Sequence, residues 1–196
     1  ARNYADHFAE MKREGTGLFL FGSAGSGKSF MAAEIVNELT DRGYACRYTS
    51  MLSIMNTLHT LGNDTRREYL EQICGLDLLV LDNFGAEAQS VYSNNTLNQI
   101  VLMCREKRIP IIAVTPYTLE SLCKSNGHTR GADAVRRLKE RSFPFTVPLP
   151  KSRRLDTLRR KRETAELLQK GMPAAPEQQT LPLPDEADFF ESASAK

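Results

Sequence analysis

Residues 22–29 read GSAGSGKS and fit the spacing G-x-x-x-x-G-K-[ST] without a mismatch. Those residue types suit one task, the holding of a phosphate chain. Glycines at 22, 25 and 27 let the backbone curl so that successive N–H groups converge on an anion where a helix begins. Lys28 is then placed to reach the outer phosphates of a nucleoside triphosphate, and the Ser29 hydroxyl to ligate Mg²⁺. The pattern predicts ATP and Mg²⁺ as ligands. The nucleotide-contacting set is Gly22, Ser23, Ala24, Gly25, Ser26, Gly27, Lys28, Ser29 and Phe30.

A second stretch, LDLLVLDNFGAE at 76–87, supplies the acid such a site needs. An apolar run that ends in Asp82 delivers a carboxylate to the end of a strand, where it can share a cation with Ser29. The next position commonly holds a second acid that takes a proton from the attacking water. Here it is Asn83, an amide that cannot. Loss of a proton acceptor costs about 10²–10⁴ in rate. Binding is therefore expected to survive and hydrolysis to be slow, with Glu87 a candidate substitute acid and ATP serving mainly as a conformational ligand.

The elements around these residues alternate between strand and helix. Arg2–Arg13 reads as a lead-in helix, Gly17–Phe21 as a strand, and Phe30–Asp41 as a helix with Met31, Ile35, Val36 and Leu39 at helical spacing. Ala45–Thr49 is a second strand, Leu52–Leu61 and Asp64–Ile73 are helices, and Leu76–Leu81 is a buried strand. Asn94–Lys107 is helical, with Leu97, Ile100, Val101 and Cys104 in one stripe. Pro110–Val114 follows as a strand, Leu119–Cys123 as a short helix and 125–131 as a mobile loop. Ala132–Arg141 is a helix, Phe143–Leu149 a final strand, and Ser152–Lys170 a charged helix. Such alternation predicts an α/β fold with a parallel sheet and a ligand at the carboxyl ends of its strands.

Composition sets the class. A chain of 196 residues with 41% hydrophobic and 26% charged residues suits one α/β domain with appendages. The longest apolar runs fall far short of a membrane span, and no signal peptide is visible. Four cysteines at 46, 74, 104 and 123 lack metal spacing and read as reduced thiols of a cytoplasmic protein. Because the first residue is Ala1, an upstream domain is an open expectation. The net charge of +2 divides unevenly: residues 171–196 carry −4, leaving +6 on the first 170. A basic body with an acidic tail is compatible with a nucleic-acid partner.

The motifs GSAGSGKS, LLVLDNFGAE, IIAVTPYTLESL and RLKERSFPFTVPLPKSRR together resemble the AAA+ helicase-loader family. That family comprises DnaC/DnaI-type replication proteins and the related IstB-type transposition ATPases. The resemblance runs from about Tyr4 to Arg154. It implies a P-loop domain of AAA+ type with a five-stranded parallel sheet flanked by helices. In that sheet an extra strand lies between the phosphate-loop strand and the strand of the metal-binding acid. It also implies a ring or filament with ATP at subunit interfaces, and single-stranded DNA and a replicative helicase as partners. Matched onto the family pattern, Arg141 stands at the arginine finger that reaches into the next subunit. Arg137, one turn earlier, shares that face, and Arg153-Arg154 match a pair near the end of the domain. A finger supplied in trans makes hydrolysis conditional on assembly. The chain departs from the pattern at Asn83 and at Pro116, where a polar sensor usually stands. Proline has neither N–H nor polar side chain, so Thr115 is the candidate to compensate.

The predicted organisation is an ATP-binding domain over 1–150 (with 1–14 as lead-in), a basic helix over 151–170 and a disordered, acidic, Pro- and Gln-containing tail over 171–196. Lys151–Arg162 holds seven basic residues and one acid, suited to phosphate-backbone contact with single-stranded DNA. Residues 178–183, QQTLPL, are similar to short peptides that dock on the bacterial sliding clamp. Three functions remain open at this level: a weak, assembly-dependent ATPase that loads a helicase, an IstB-like transposition ATPase, and a non-hydrolysing nucleotide-binding adaptor.

Overall fold

The computed structural model describes residues 1–85, 90–118, 120–122, 130–148 and 159–166. Along the chain run α1 (Arg2–Asp6), α2 (Phe8–Glu14), β1 (Gly17–Phe21), α3 (Lys28–Asp41), β2 (Cys46–Ser50), α4 (Met51–Thr60) and α5 (Asn63–Ile73). Then follow β3 (Leu78–Asp82), α6 (Val91–Glu106), β4 (Ile111–Thr115), α7 (Arg130–Arg141) and β5 (Ser142–Thr146). The chain divides into two compact units, Ala1–Lys151 and Ser152–Lys196. In the second, residues 159–166 are helical, and the rest of the predicted helix Ser152–Lys170 and of the tail lies outside the described residues.

The five strands form one parallel sheet in the order β2-β3-β4-β1-β5. This is the AAA+ arrangement that the resemblance implies, with β4 inserted between β1 and β3. Alternation along the strands sorts the core into two layers. Leu20, Leu78, Val80, Ile112 and Val114 pack with Ala32, Ile35 and Leu39 of α3 and with Ala5 and Phe8. Phe19, Leu79, Leu81, Ile111 and Ala113 pack on the opposite face with residues of α4, α5, α6 and α7. Helices on both faces explain why β3 and β4 read as continuous apolar runs rather than alternating ones.

Several boundaries shift for local reasons. The lead-in helix breaks at His7, whose φ of −105° and ψ of 18° leave the helical range. The carbonyl of Ala5, beside that break, accepts from Arg42 Nη1 at 2.7 Å. Helix α6 starts at Val91 rather than Asn94 because the Ser90 side chain accepts the Ser93 N–H at 3.0 Å and so caps the helix earlier. Strand β3 starts at Leu78 rather than Leu76. Asp77 just before it accepts the Ala45 N–H at 2.8 Å and pairs with Lys12 at 2.6 Å.

Candidate functional site

Strand β1 ends at Phe21, and the chain turns through the glycine-rich loop into α3. Two glycines make that turn feasible. A Cβ on Gly22 would stand 2.4 Å from the Val147 carbonyl oxygen, and Gly27 caps α3 at φ 99°, in the left-handed region. The N-cap residue Gly27 makes no side-chain cap bond to the first N–H groups of this helix. Helix α3 begins at Lys28, two residues before the expected start. Lys28 is buried and its Nζ donates to the carbonyl oxygens of Gly22 and Ser23, each at 2.8 Å. Burial pulls the ammonium pKa below the ordinary lysine range, and the carboxylate of Asp82 opposes that shift. Ser29 and Phe30 are exposed on the first turn.

Asp82 closes β3 within reach of that turn. Its Oδ1 accepts from Ser29 Oγ at 3.1 Å and from the Asn83 N–H at 2.8 Å. Its Oδ2 accepts from the Tyr48 hydroxyl at 2.5 Å. Because the Ser29 proton is directed at Asp82, the oxygen lone pairs of Ser29 are left for a cation. A hydroxyl oxygen next to a carboxylate, beside a buried ammonium and a row of helix-start N–H groups, is a donor set that fits Mg²⁺ held on a nucleotide. Burial, and then the bond to Asp82, push the Tyr48 phenol up to about 12, so it donates throughout the neutral range.

Asn83 is exposed and adopts φ 52°, a left-handed conformation that Asn and Asp tolerate better than most residues. Phe84 follows, buried, with its N–H on the Val114 carbonyl at 2.8 Å and its ring edge-on to Phe19 at 6.0 Å between centroids. This clamp ties the end of β3 to β4 and β1. Thr115 is fully buried at the end of β4, and its Oγ1 accepts the Tyr117 N–H at 3.2 Å, so its oxygen is engaged in the local turn. Glu87, Arg153, Arg154 and the 178–183 peptide lie outside the described residues.

Arg137 and Arg141 do not converge with this cluster. Arg137 Nη1 donates to Asn98 Oδ1 at 2.6 Å, and Arg141 Nη1 to the Arg105 carbonyl at 3.3 Å. Arg141 immediately precedes Ser142, which is in register with Gly17 at the start of β1, whereas the phosphate loop follows Phe21 at its end. At roughly 3.3 Å per residue, the length of a strand separates the two ends.

A family model for IstB-like ATP binding proteins matches residues 8–136, more than half of the chain. The chain belongs to this family. It is similar to the replicative helicase loader DnaC of Escherichia coli strain K12, with 31% identity over 132 residues. That match covers 65% of this chain and 52% of the relative, so the chain spans about half the length of that loader. A crystal structure of the DnaC helicase loader superposes with a TM-score of 0.62 at 24% identity, covering 74% of this chain and 85% of the other. The replication initiator DnaA, bound to AMPPCP and single-stranded DNA, superposes with a TM-score of 0.64 at 18% identity, covering 82% and 49%. At these identities the two structures speak for the shared fold.

For this IstB-like chain the family match stops one residue short of Arg137. Sequence reading missed Tyr48. Its neighbour Asp82 is 34 positions away, and nothing local shows that β2 lies against β3. The one available signal was strand period, which puts Cys46, Tyr48 and Ser50 on one face. Among the described residues no helix is long and apolar enough to cross a membrane.

Proposed function

We propose that the chain is an ATP-binding accessory of DNA replication, a cytoplasmic helicase loader that assembles on single-stranded DNA and hydrolyses ATP slowly. The observation that carries this reading is the junction of Lys28, Ser29 and Asp82 with an amide, Asn83, in the place of a proton acceptor. The loop N–H groups and Lys28 would bind the outer phosphates, and Ser29 and Asp82 would hold Mg²⁺. Bound there, Mg²⁺ supplies charge neutralisation across those phosphates. Asn83 can hold a water by a hydrogen bond but cannot take its proton, so hydrolysis lacks a base within the described part of the site. Arg141, at the opposite end of the sheet, would serve the site of a neighbouring copy in a ring or filament, with Arg137 beside it.

The choice of a helicase as partner is supported by the likeness to DnaC, named as a replicative helicase loader, and single-stranded DNA by the fold shared with DnaA in its DNA-bound form. The deciding experiment is ATP turnover with and without single-stranded DNA and a purified replicative helicase, paired with a helicase pull-down. Turnover that stays low alone, rises with DNA, and accompanies helicase capture supports the reading. No helicase capture, with a transposase retained instead, would favour a transposition ATPase, the second reading that the IstB-like family match itself keeps in view.

A further inference from the structure

Asp82 carries one contact that phosphate binding leaves unexplained. Oδ1 serves Ser29 and Asn83, whereas Oδ2 is held by the phenol of Tyr48. Tyr48 lies on β2, the outer strand beside β3, in register with Val80 and two residues short of Asp82. Leu78 and Val80 belong to the core layer on the α3 side. By the two-residue strand period, Asp82 and Tyr48 turn to that same side, where α3 brings Ser29. Tyr48 is 38% exposed, and its hydroxyl is spent on the carboxylate.

We propose that Tyr48 is a positioning residue for the magnesium–nucleotide site, holding one carboxylate oxygen of Asp82 so that the other stays turned to Ser29. The proposal rests on the reading of Lys28, Ser29 and Asp82 as an ATP site. A carboxylate at a strand end rotates about its side-chain bonds, and donors on one oxygen alone leave that rotation loosely held. A phenol on the second oxygen fixes the plane of the group. The chemistry of the donor matters as well as its place. A lysine or arginine here would add positive charge beside a divalent cation and oppose its binding, whereas a phenol orients the acid and brings no charge. Tyrosine also has the reach, since it must bridge from the position beside Val80 to the end of the neighbouring strand.

The test is Tyr48→Phe in the full chain, which removes one oxygen from a partly exposed ring. Binding of a fluorescent ATP analogue is titrated with Mg²⁺ and measured again in EDTA, with thermal unfolding as a check on folding. The Mg²⁺ midpoint for analogue binding is expected to rise about 10-fold, within the range for losing the outer partner of a metal-binding side chain. Affinity in EDTA is expected to stay as in the unmodified chain, and the unfolding midpoint to fall by no more than the loss of one partly exposed hydrogen bond allows. An unchanged Mg²⁺ midpoint overturns the proposal, and so does an equal loss with and without Mg²⁺, which would mean that the ring shapes the loop and not the carboxylate. If the unmodified chain shows no Mg²⁺-dependent gain in analogue binding, the ATP-site reading itself fails, an outcome seen before any variant is made.

Discussion

The two ends of the sheet are built from similar materials and do different work. At the carboxyl end, Ser29 and Tyr48 come from two elements and donate to the carboxylate of Asp82 on a third, while Lys28 beside Ser29 donates to the loop carbonyls of Gly22 and Ser23. At the amino end, Arg137 and Arg141 hold Asn98 and the Arg105 carbonyl, both supplied by the neighbouring helix α6. One end gathers within one copy every group that the proposed ATP site needs for binding. The other presents cations a strand length away from the only phosphate site the described residues form. The difference teaches that binding and turnover need not share an address: on the proposed reading one copy would bind ATP, and a second would bring an arginine to it.

The largest effect expected from this division is on turnover. Arg141→Ala should lower ATP hydrolysis by the assembled protein about 10³-fold, at the lower end of the range for an arginine finger, while ATP binding stays unchanged. Mixing that variant with Lys28→Ala should restore activity, because each copy then supplies the half the other lacks. Equal turnover in Arg141→Ala and unmodified protein would dissolve the contrast between the two ends.

Asn83→Asp comes next, with phosphate release expected to rise about 10²-fold as a proton acceptor returns. Aspartate is the cleaner choice over glutamate because the φ of 52° at this position suits Asn and Asp. Retained ATP binding with no gain in phosphate release would show that Asn83 is not what slows the site.

Lys28→Ala acts at the carboxyl end alone. ATP affinity measured by calorimetry should fall about 10- to 10²-fold, the range for losing one charge-assisted hydrogen bond of about 1.5–3 kcal/mol. Affinity that stays level would remove Lys28 from the phosphate site.

The smallest effect is one of pH. Burial lowers the Lys28 pKa, and phosphate binds its charged form. As pH rises through the lowered value, Lys28 in the free chain loses its proton and ATP affinity declines before the ordinary lysine range is reached. In that same window the unfolded chain binds more protons than the folded one, so the free protein gains stability with rising pH. Tyr48 does not disturb this reading. With its phenol raised from 10.0 to about 12, its contribution is full below 10 and lost only above. The rise in unfolding temperature caused by ATP should therefore shrink as pH climbs from neutral, and a constant rise would count against a desolvated Lys28.

Much of the fold could be read from the chain because its signals are local. GSAGSGKS names its chemistry by spacing, and β1 runs over Gly17–Phe21 as the apolar run predicts. Asp82 was legible for the same reason, as the end of an apolar run. Caps and breaks were less legible. Ser90 starts α6 three residues early, and His7 interrupts what periodicity reads as one helix. In both cases a single hydrogen bond or a pair of dihedral angles, and not the periodic pattern, sets the boundary.

By itself, then, the sequence determined the phosphate loop, the strand-terminal acid, the amide beside it and the alternation that demands a parallel sheet. All of these depend on residues within a few positions of one another. Only the tertiary structure decided that β2 lies against β3, that Tyr48 therefore holds Asp82, and that Arg141 stands at the far end of the sheet from Lys28. Strand order is set by how helices cover two apolar faces, a property of the whole packed core that no short window of residues contains.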